Sequence, residues 1–302
     1  MKKRLLAIIT SFVLIFAVGC SSNKETTVTD REGNEVKVPT KLEKIITTAP
    51  SNTEVLVGLG VADKLVAVDK YSEGIKGLNK DIPKMDMNKP DAEAIIALEP
   101  DLIIASGYNK IGSAEDPYKS IVEAGIPVVY IPSSDSIKGI YKDIEFIASL
   151  VNEEKKGEEI ITDMKAQISN YEELGKTIKN KKKVYFEIGP APNLFTFGNS
   201  TFLNEMIEVI GAENVFKNEK SWFAPTEEAI LDANPDAIFT NVNYVKNPTK
   251  EISSRNGWEN IKAIKNGDVY YIDSNSSARG NQNIIKALDE MAKAIYPDVY
   301  GK

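Results

Sequence analysis

Pro90-Asp-Ala-Glu-Ala-Ile-Ile-Ala-Leu-Glu-Pro-Asp-Leu-Ile-Ile104 returns 135 residues later as Pro225-Thr-Glu-Glu-Ala-Ile-Leu-Asp-Ala-Asn-Pro-Asp-Ala-Ile-Phe239. Pro90, Glu93, Ala94, Ile95, Pro100, Asp101 and Ile103 all meet identical residues at that one offset. Each copy reads as a short helix, a Pro-Asp turn and an apolar strand. Helix, turn and strand recur in many α/β proteins, but seven identities in one register favour duplication over coincidence. A weaker echo relates Asn52–Val66 to Leu203–Lys217, with Glu54 opposite Glu205 and Gly60 opposite Gly211. The chain is therefore expected to form two similar lobes.

Around these repeats, short apolar strands alternate with amphipathic helices, which argues for parallel sheets covered on both faces. Strands are expected at Lys44–Thr48, Leu65–Asp69, Leu102–Ala105 and Val128–Ile131, with helices at Thr53–Gly60, Asp91–Leu98 and Pro117–Ala124. Val28–Val38 reads as a hairpin turning at Gly33-Asn34. From Glu153 to Asn180 the apolar residues Ile161, Met164, Ile168, Tyr171, Leu174 and Ile178 step by threes and fours. That spacing predicts one amphipathic helix of about 40 Å, in which Gly157 and Gly175 are locally unfavourable. The same pattern suits a bridge between lobes or a helix packed on one of them. The fold class is α/β: two similar lobes with mostly parallel central sheets, bridged by one long α-helix. The expected divisions are an N-terminal lobe at 28–152, the bridge at 153–180 and a C-terminal lobe at 181–302, whose final helix has the option of packing back on the first lobe.

The first residues read as an address. Lys2, Lys3 and Arg4 precede an apolar run from Leu5 to Val18, too short for a comfortable membrane span, and Ala17-Val18-Gly19-Cys20 follows. The pattern resembles a bacterial lipoprotein signal over residues 1–19, with Cys20 as the lipidated residue and 20–27 as a polar tether. An ordinary signal peptide is the other reading. The lipid reading puts the protein on the extracytoplasmic face of the cell membrane.

Composition removes several chemistries. Of 302 residues none is histidine, so Ser-His-Asp catalysis, His-ligated zinc and axial His on haem are out. Cys20 is the single cysteine, which excludes an internal disulfide or a cysteine cluster. The net charge of −7, from 37 basic and 44 acidic residues, offers no basic surface for nucleic acid. Arginine occurs four times, at positions 4, 31, 255 and 279, so a site built from many guanidinium forks is unavailable to this chain. There is no phosphate-binding loop, dinucleotide fingerprint or nucleophile elbow. No cofactor or resident metal is expected. A surface carbohydrate-active enzyme working through carboxylates is the alternative of a different class.

Aromatic and polar residues gather where strands of such sheets end, the usual place for a ligand crevice. Tyr71 follows the second strand, Tyr108 the third, and Phe195 lies beyond Val184–Ile188. Trp222 precedes the second repeat helix, Tyr244 follows Ile238–Thr240, and Arg279 follows Val269–Asp273. Together they suit a flat or bulky ligand. Glu93 and Glu228 hold matching places in the first turn of the repeat helices. Acidic residues there favour the helix dipole by ~0.3–1 kcal/mol; two carboxylates, one per lobe, also suit a two-point dock for a pseudo-symmetric partner.

Pro50-Ser-Asn-Thr-Glu-Val-Leu-Val-Gly-Leu-Gly60, Ala94–Ile104, Phe197-Gly-Asn-Ser-Thr-Phe-Leu-Asn-Glu-Met206, Gly211-Ala-Glu-Asn-Val215 and the Asn283–Tyr296 segment together resemble class III solute-binding lipoproteins of ABC uptake systems. That family serves cobalamin, ferric siderophores and haem, and the likeness spans about 28–302. It implies a monomer that carries a small metal chelate to the membrane subunits of an ABC permease, docking through Glu93 and Glu228. Tyr71, Trp222 and Arg279 match cleft positions of cobalamin-binding members. Their further cleft tryptophans are replaced here by Lys84-Met-Asp-Met87 and Ser106-Gly-Tyr108. A corrinoid is thus the first expectation, and a ferric siderophore or haem, the latter through Tyr71 or Tyr108, the second.

Overall fold

The computed structural model describes residues 24–113 and 115–301. The expected signal at 1–19 and the expected lipid site at Cys20 lie outside them.

An antiparallel hairpin opens the described chain, β1 (Glu25–Thr29) with β2 (Glu35–Pro39). Its turn uses Gly33 at φ 91°, a left-handed conformation that costs a glycine little. Asp30 Oδ2 accepts from the Tyr130 amide at 3.0 Å, and the Arg31 amide donates to the Tyr130 carbonyl at 3.2 Å, so the turn is fastened to the first lobe.

The first lobe is a parallel sheet of β3 (Ile45–Thr47), β4 (Leu65–Asp69), β5 (Lys84–Met85), β6 (Leu102–Ser106) and β7 (Val128–Ile131), ordered β5-β4-β3-β6-β7. The second lobe contributes β8 (Lys183–Glu187), β9 (Thr196–Phe197), β10 (Glu213–Asn214), β11 (Trp222–Phe223), β12 (Ala237–Thr240) and β13 (Val269–Tyr271). Its parallel sheet is ordered β10-β8-β12-β13, while β9 and β11 form a separate antiparallel ribbon. Leaving aside the extra edge strand β5, the two orders superimpose strand for strand. The central strands are apolar through their middles because both faces are covered; Ile45, Ile103, Val184 and Phe239 are fully buried.

The helices that matter to the site are α1 (Pro50–Leu59), α2 (Ala92–Ala97), α3 (Lys119–Glu123), α4 (Ile137–Leu150), α5 (Glu154–Lys176), α6 (Phe202–Val209) and α7 (Glu227–Ala233). The quoted repeat becomes α2 with β6 and α7 with β12. Asp91 and Thr226 cap the two helices at matching positions, accepting from Ala94 and Ala229 amides at 3.1 Å. Ile95 and Ile230 are the buried anchors of each helix. The Pro-Asp turn is explained by its carboxylate. Asp101 Oδ2 accepts from the amides of Glu43 and Lys44 at 2.7 and 2.8 Å, and Asp236 Oδ2 from that of Lys183 at 2.9 Å. In each lobe the repeat aspartate therefore pins the start of the neighbouring central strand.

The long helix α5 is shorter at both ends than the expected 153–180 span, stopping where Thr177 turns its hydroxyl back to the Leu174 carbonyl at 2.7 Å. It packs against α1 and α4 on one side of the molecule and α6 on the other, which selects the bridge over a helix on one lobe. The two glycines are the contact points. A Cβ on Gly157 would lie 2.6 Å from Ala148 Cβ of α4, and one on Gly175 would run into the Val209 carbonyl at the end of α6. Gly157 thus seats the helix on the first lobe and Gly175 on the second. The Ile284–Ile295 helix has its main packing on α5 and α6 and contributes little to any crossing to the first lobe. The loop before it makes that crossing instead.

Candidate functional site

A cleft of about 660 Å³ opens between the lobes at the carboxyl ends of the strands. Its first-lobe wall contains Thr48 after β3, Asp69 and Tyr71 after β4, and Ser106 and Tyr108 after β6. The second lobe adds Phe195, Phe202, Trp222 and the Ala278–Gly280 stretch.

One local device projects both tyrosines. The last residue of β4, Asp69, accepts from the Tyr71 amide at 2.8 Å, and the last residue of β6, Ser106, accepts from the Tyr108 amide at 3.2 Å. Each side chain caps a single 3-10 turn and leaves the tyrosine two residues on facing solvent. Tyr71 is 60% and Tyr108 59% exposed, which is high for rings of that size in a folded chain. On the other wall the β9–β11 ribbon carries Trp222, whose ring rests edgewise on the fully buried Phe197 at 5.6 Å. Phe195 is held by its amide donating to the Gly189 carbonyl at 3.1 Å.

Part of the cleft floor is a hydrogen-bonded set of uncharged hydroxyls and amides. Thr48 Oγ1 donates to Asn109 Oδ1 at 2.5 Å and accepts from the Ser106 amide at 2.8 Å, while Asn109 Nδ2 donates to Asn88 Oδ1 at 2.9 Å. Asn52, in the first turn of α1, is 3% exposed and its amide nitrogen has no partner among the described residues. An unmet buried donor costs about 1–3 kcal/mol, a cost that a bound acceptor would offset. Two carboxylates face the same space. Burial raises the pKa of Asp69, with its backbone hydrogen bonds opposing; burial also raises that of Asp143, against Ser134 and Arg31. Arg31 Nε meets Asp143 Oδ1 at 2.8 Å and the Ser134 hydroxyl donates to Oδ2.

Arg279 lines the cleft, but its guanidinium is engaged. Nη1 donates to Glu54 Oε1 at 2.5 Å and Nη2 to the Tyr71 carbonyl at 3.0 Å, both across the lobe boundary. Tyr244, 73% exposed, is not part of the cleft wall. Of the six expected ligand contacts the structure therefore gathers Tyr71, Tyr108, Phe195, Trp222 and Arg279 in one cavity and leaves Tyr244 apart. Asn52 and Glu54 were not singled out as site residues, although both lie in the quoted Pro50–Gly60 motif. Their signal was that the polar run Ser51-Asn-Thr-Glu54 opens a helix whose remainder is apolar.

Glu93 and Glu228 are exposed and form no ion pair with the described residues. The neighbouring Glu227 has a different task, accepting from Trp258 Nε1 at 2.6 Å. Of the adjacent pair, only Glu228 is left free.

Two parallel-sheet lobes on a single long helix, with an aromatic-walled cleft between them, have the build of a solute receptor. The chain belongs to the periplasmic binding protein family, whose model it matches over residues 45–276. It is 36% identical over 279 residues to the uncharacterized ABC transporter substrate-binding lipoprotein YvrC of Bacillus subtilis (strain 168), covering 91% of this chain and 86% of that protein. It is 24% identical over 254 residues to the vitamin B12-binding protein of Vibrio campbellii, covering 83% and 88%. Among solved structures, a possible iron-binding periplasmic solute-binding protein from Staphylococcus epidermidis superimposes with a TM-score of 0.75 at 30% identity, covering 85% of this chain and 99% of that one. This is the substrate-binding component of an ABC transporter, which holds a small molecule and passes it to permease subunits. The family's members bind solutes, so the carbohydrate-active enzyme is set aside.

Proposed function

We propose that the cleft takes a corrinoid or a similar metal chelate without strong negative charge. The observation that carries this is the character of the cleft wall. Four exposed aromatic side chains face a hydroxyl and amide floor flanked by the carboxylates of Asp69 and Asp143, and among the described residues lining the cleft the one cation, Arg279, is already paired. Tyr71 and Trp222 would meet the ligand's apolar faces from opposite lobes, with Tyr108 and Phe195 extending the walls. Asn52 and the Asn88–Asn109 pair suit peripheral amides. The likeness to a vitamin B12-binding protein supports the same class. Haem is the second reading, supported by the two exposed phenols on the first-lobe wall, either of which has the oxygen to ligate iron. Tyr244 would serve only a ligand large enough to overhang the cleft.

Delivery would use Glu93 and Glu228, whose free carboxylates suit arginines of a permease dimer by charge-assisted pairing. A lipid on Cys20 would hold the receptor on the extracytoplasmic face of the cell membrane, a reading supported by the likeness to a B. subtilis lipoprotein.

The test is a visible spectrum of the purified protein after mixing in turn with cyanocobalamin, haemin and ferric siderophores and then desalting. Corrinoid absorbance retained at one equivalent is the expected result, with Trp222→Ala weakening it about tenfold through the lost ring contact. Retention of an iron chelate alone would replace the ligand assignment.

A further inference from the structure

Four side chains of the second lobe converge on a single glutamate of the first. Glu54 Oε1 takes Arg279 Nη1 at 2.5 Å, Oε2 takes the Asn281 amide and, at 3.1 Å, the Asn283 amide, and the Glu54 carbonyl takes Gln282 Nε2 at 2.7 Å. Glu54 is 7% exposed, so this carboxylate is buried and saturated by donors. Arg279 stands between it and the cleft and, among the described residues that line the cleft, is the only lysine or arginine.

We propose that Glu54 sets the charge selectivity of the cleft: by holding the Arg279 guanidinium it cancels the cleft's cation and biases the site toward neutral over anionic chelates. The proposal rests on the reading that the ligand binds in this cleft. Asp69 acts in the same direction, since it faces the cleft with no ion pair among the described residues, while Asp143 is met by Arg31 from behind. A bare guanidinium on that wall would attract a ligand carboxylate; one already paired has little net field to offer. Glu54 acts through Arg279 and is a positioning residue.

The experiment is equilibrium dialysis of the protein against cyanocobalamin and, separately, ferric citrate, read as the ratio of the two association constants. Glu54→Gln keeps the shape and removes the charge, and should shift the ratio toward ferric citrate by about tenfold. Glu54→Asp, which keeps the charge, should leave the ratio near that of the parent, and Arg279→Gln should move it the other way. A merely structural role would weaken both probes alike and leave the ratio still, and an unchanged ratio in Glu54→Gln and Arg279→Gln overturns the proposal. If the parent retains neither probe, the ligand class proposed above fails; ferric citrate binding gained by Glu54→Gln would still support the present inference, and no gain would refute it. Should Glu54→Gln fail to fold, Arg279→Gln decides alone, a shift of the ratio away from ferric citrate supporting and an unchanged or opposite ratio refuting.

Discussion

The two lobes share a strand order and a repeat, yet they spend their polar residues differently. The first lobe turns its hydroxyls and amides toward the cleft, in the Thr48–Asn109–Asn88 chain and in Asn52. The second turns its charge inward. Glu187, at the end of β8 and 1% exposed, takes both terminal nitrogens of Arg255 at 2.6 and 2.8 Å, and Glu251 takes Arg255 Nε at 3.0 Å. Trp258 lies beneath the guanidinium at 4.6 Å. What the duplication preserves is the scaffold and the outward glutamates; what diverged is the use of the strand ends. The matched pair Glu54 and Glu205 shows both at once. Each reaches into the opposite lobe, Glu54 to the Arg279–Asn283 loop and Glu205 Oε2 to the Ile137 amide at 2.7 Å. The first meets a guanidinium, the second only a backbone donor.

If the lobes are equal partners in docking, Glu93→Ala and Glu228→Ala should each impair transport comparably, and the double variant should abolish uptake of labelled ligand while its affinity stays within about twofold. One single variant that alone matches the double would break the equivalence. Loss of binding in the double would remove the docking role.

The inward charge of the second lobe should show as stability. Arg255→Met strands a buried glutamate and should cost about 3–5 kcal/mol in denaturant unfolding. Arg31→Met should cost less, because Asp143 keeps the Ser134 hydroxyl and Arg31 is partly exposed. Equal costs would mean that the two lobes do not differ in this respect.

Gly175→Ala forces a methyl group against the α6 carbonyls and should destabilise by about 1–3 kcal/mol, and Gly157→Ala at the other lobe should do the same. A harmless alanine at either site would show that α5 is free of that lobe.

The smallest effect concerns pH. Burial raises the Glu205 carboxyl above its ordinary 4.5; the Ile137 amide opposes this, and Glu208 and Asp135 add to it. The native state thus keeps this proton to higher pH than the unfolded chain, so its contribution is greatest in acid and is lost as pH rises from 4.5 through the raised value. Glu205→Gln should flatten that part of the stability curve, read as unfolding midpoints between roughly pH 4 and 8. A parent–variant difference that does not vary with pH would remove this role of the Glu205 carboxyl.

Local features were legible in the sequence. The repeat could be found because helix capping, a Pro-Asp turn and an apolar strand are written in neighbouring residues. The tyrosines could be placed because they follow strands. The two-residue strands β9 and β11 carry no periodicity, so the ribbon that positions Trp222 had no signature. The engagement of Arg279 was hidden for another reason: its partner Glu54 lies 225 residues away, and nothing in a pairwise reading joins them. Gly157 and Gly175 were read by propensity as weak points of a helix, whereas packing makes them its seats.

Those seats have a mechanical consequence. They lie about 27 Å apart along the axis of α5 at 1.5 Å per residue, each gripping a different lobe. A strut clamped at both ends resists hinging and yields mainly to slight bending and torsion. The spacing between Glu93 and Glu228 would then work as a fixed gauge, the same whether the cleft is empty or full. A permease meeting such a gauge would have to sense its cargo from the cleft mouth, not from the distance between its two handholds.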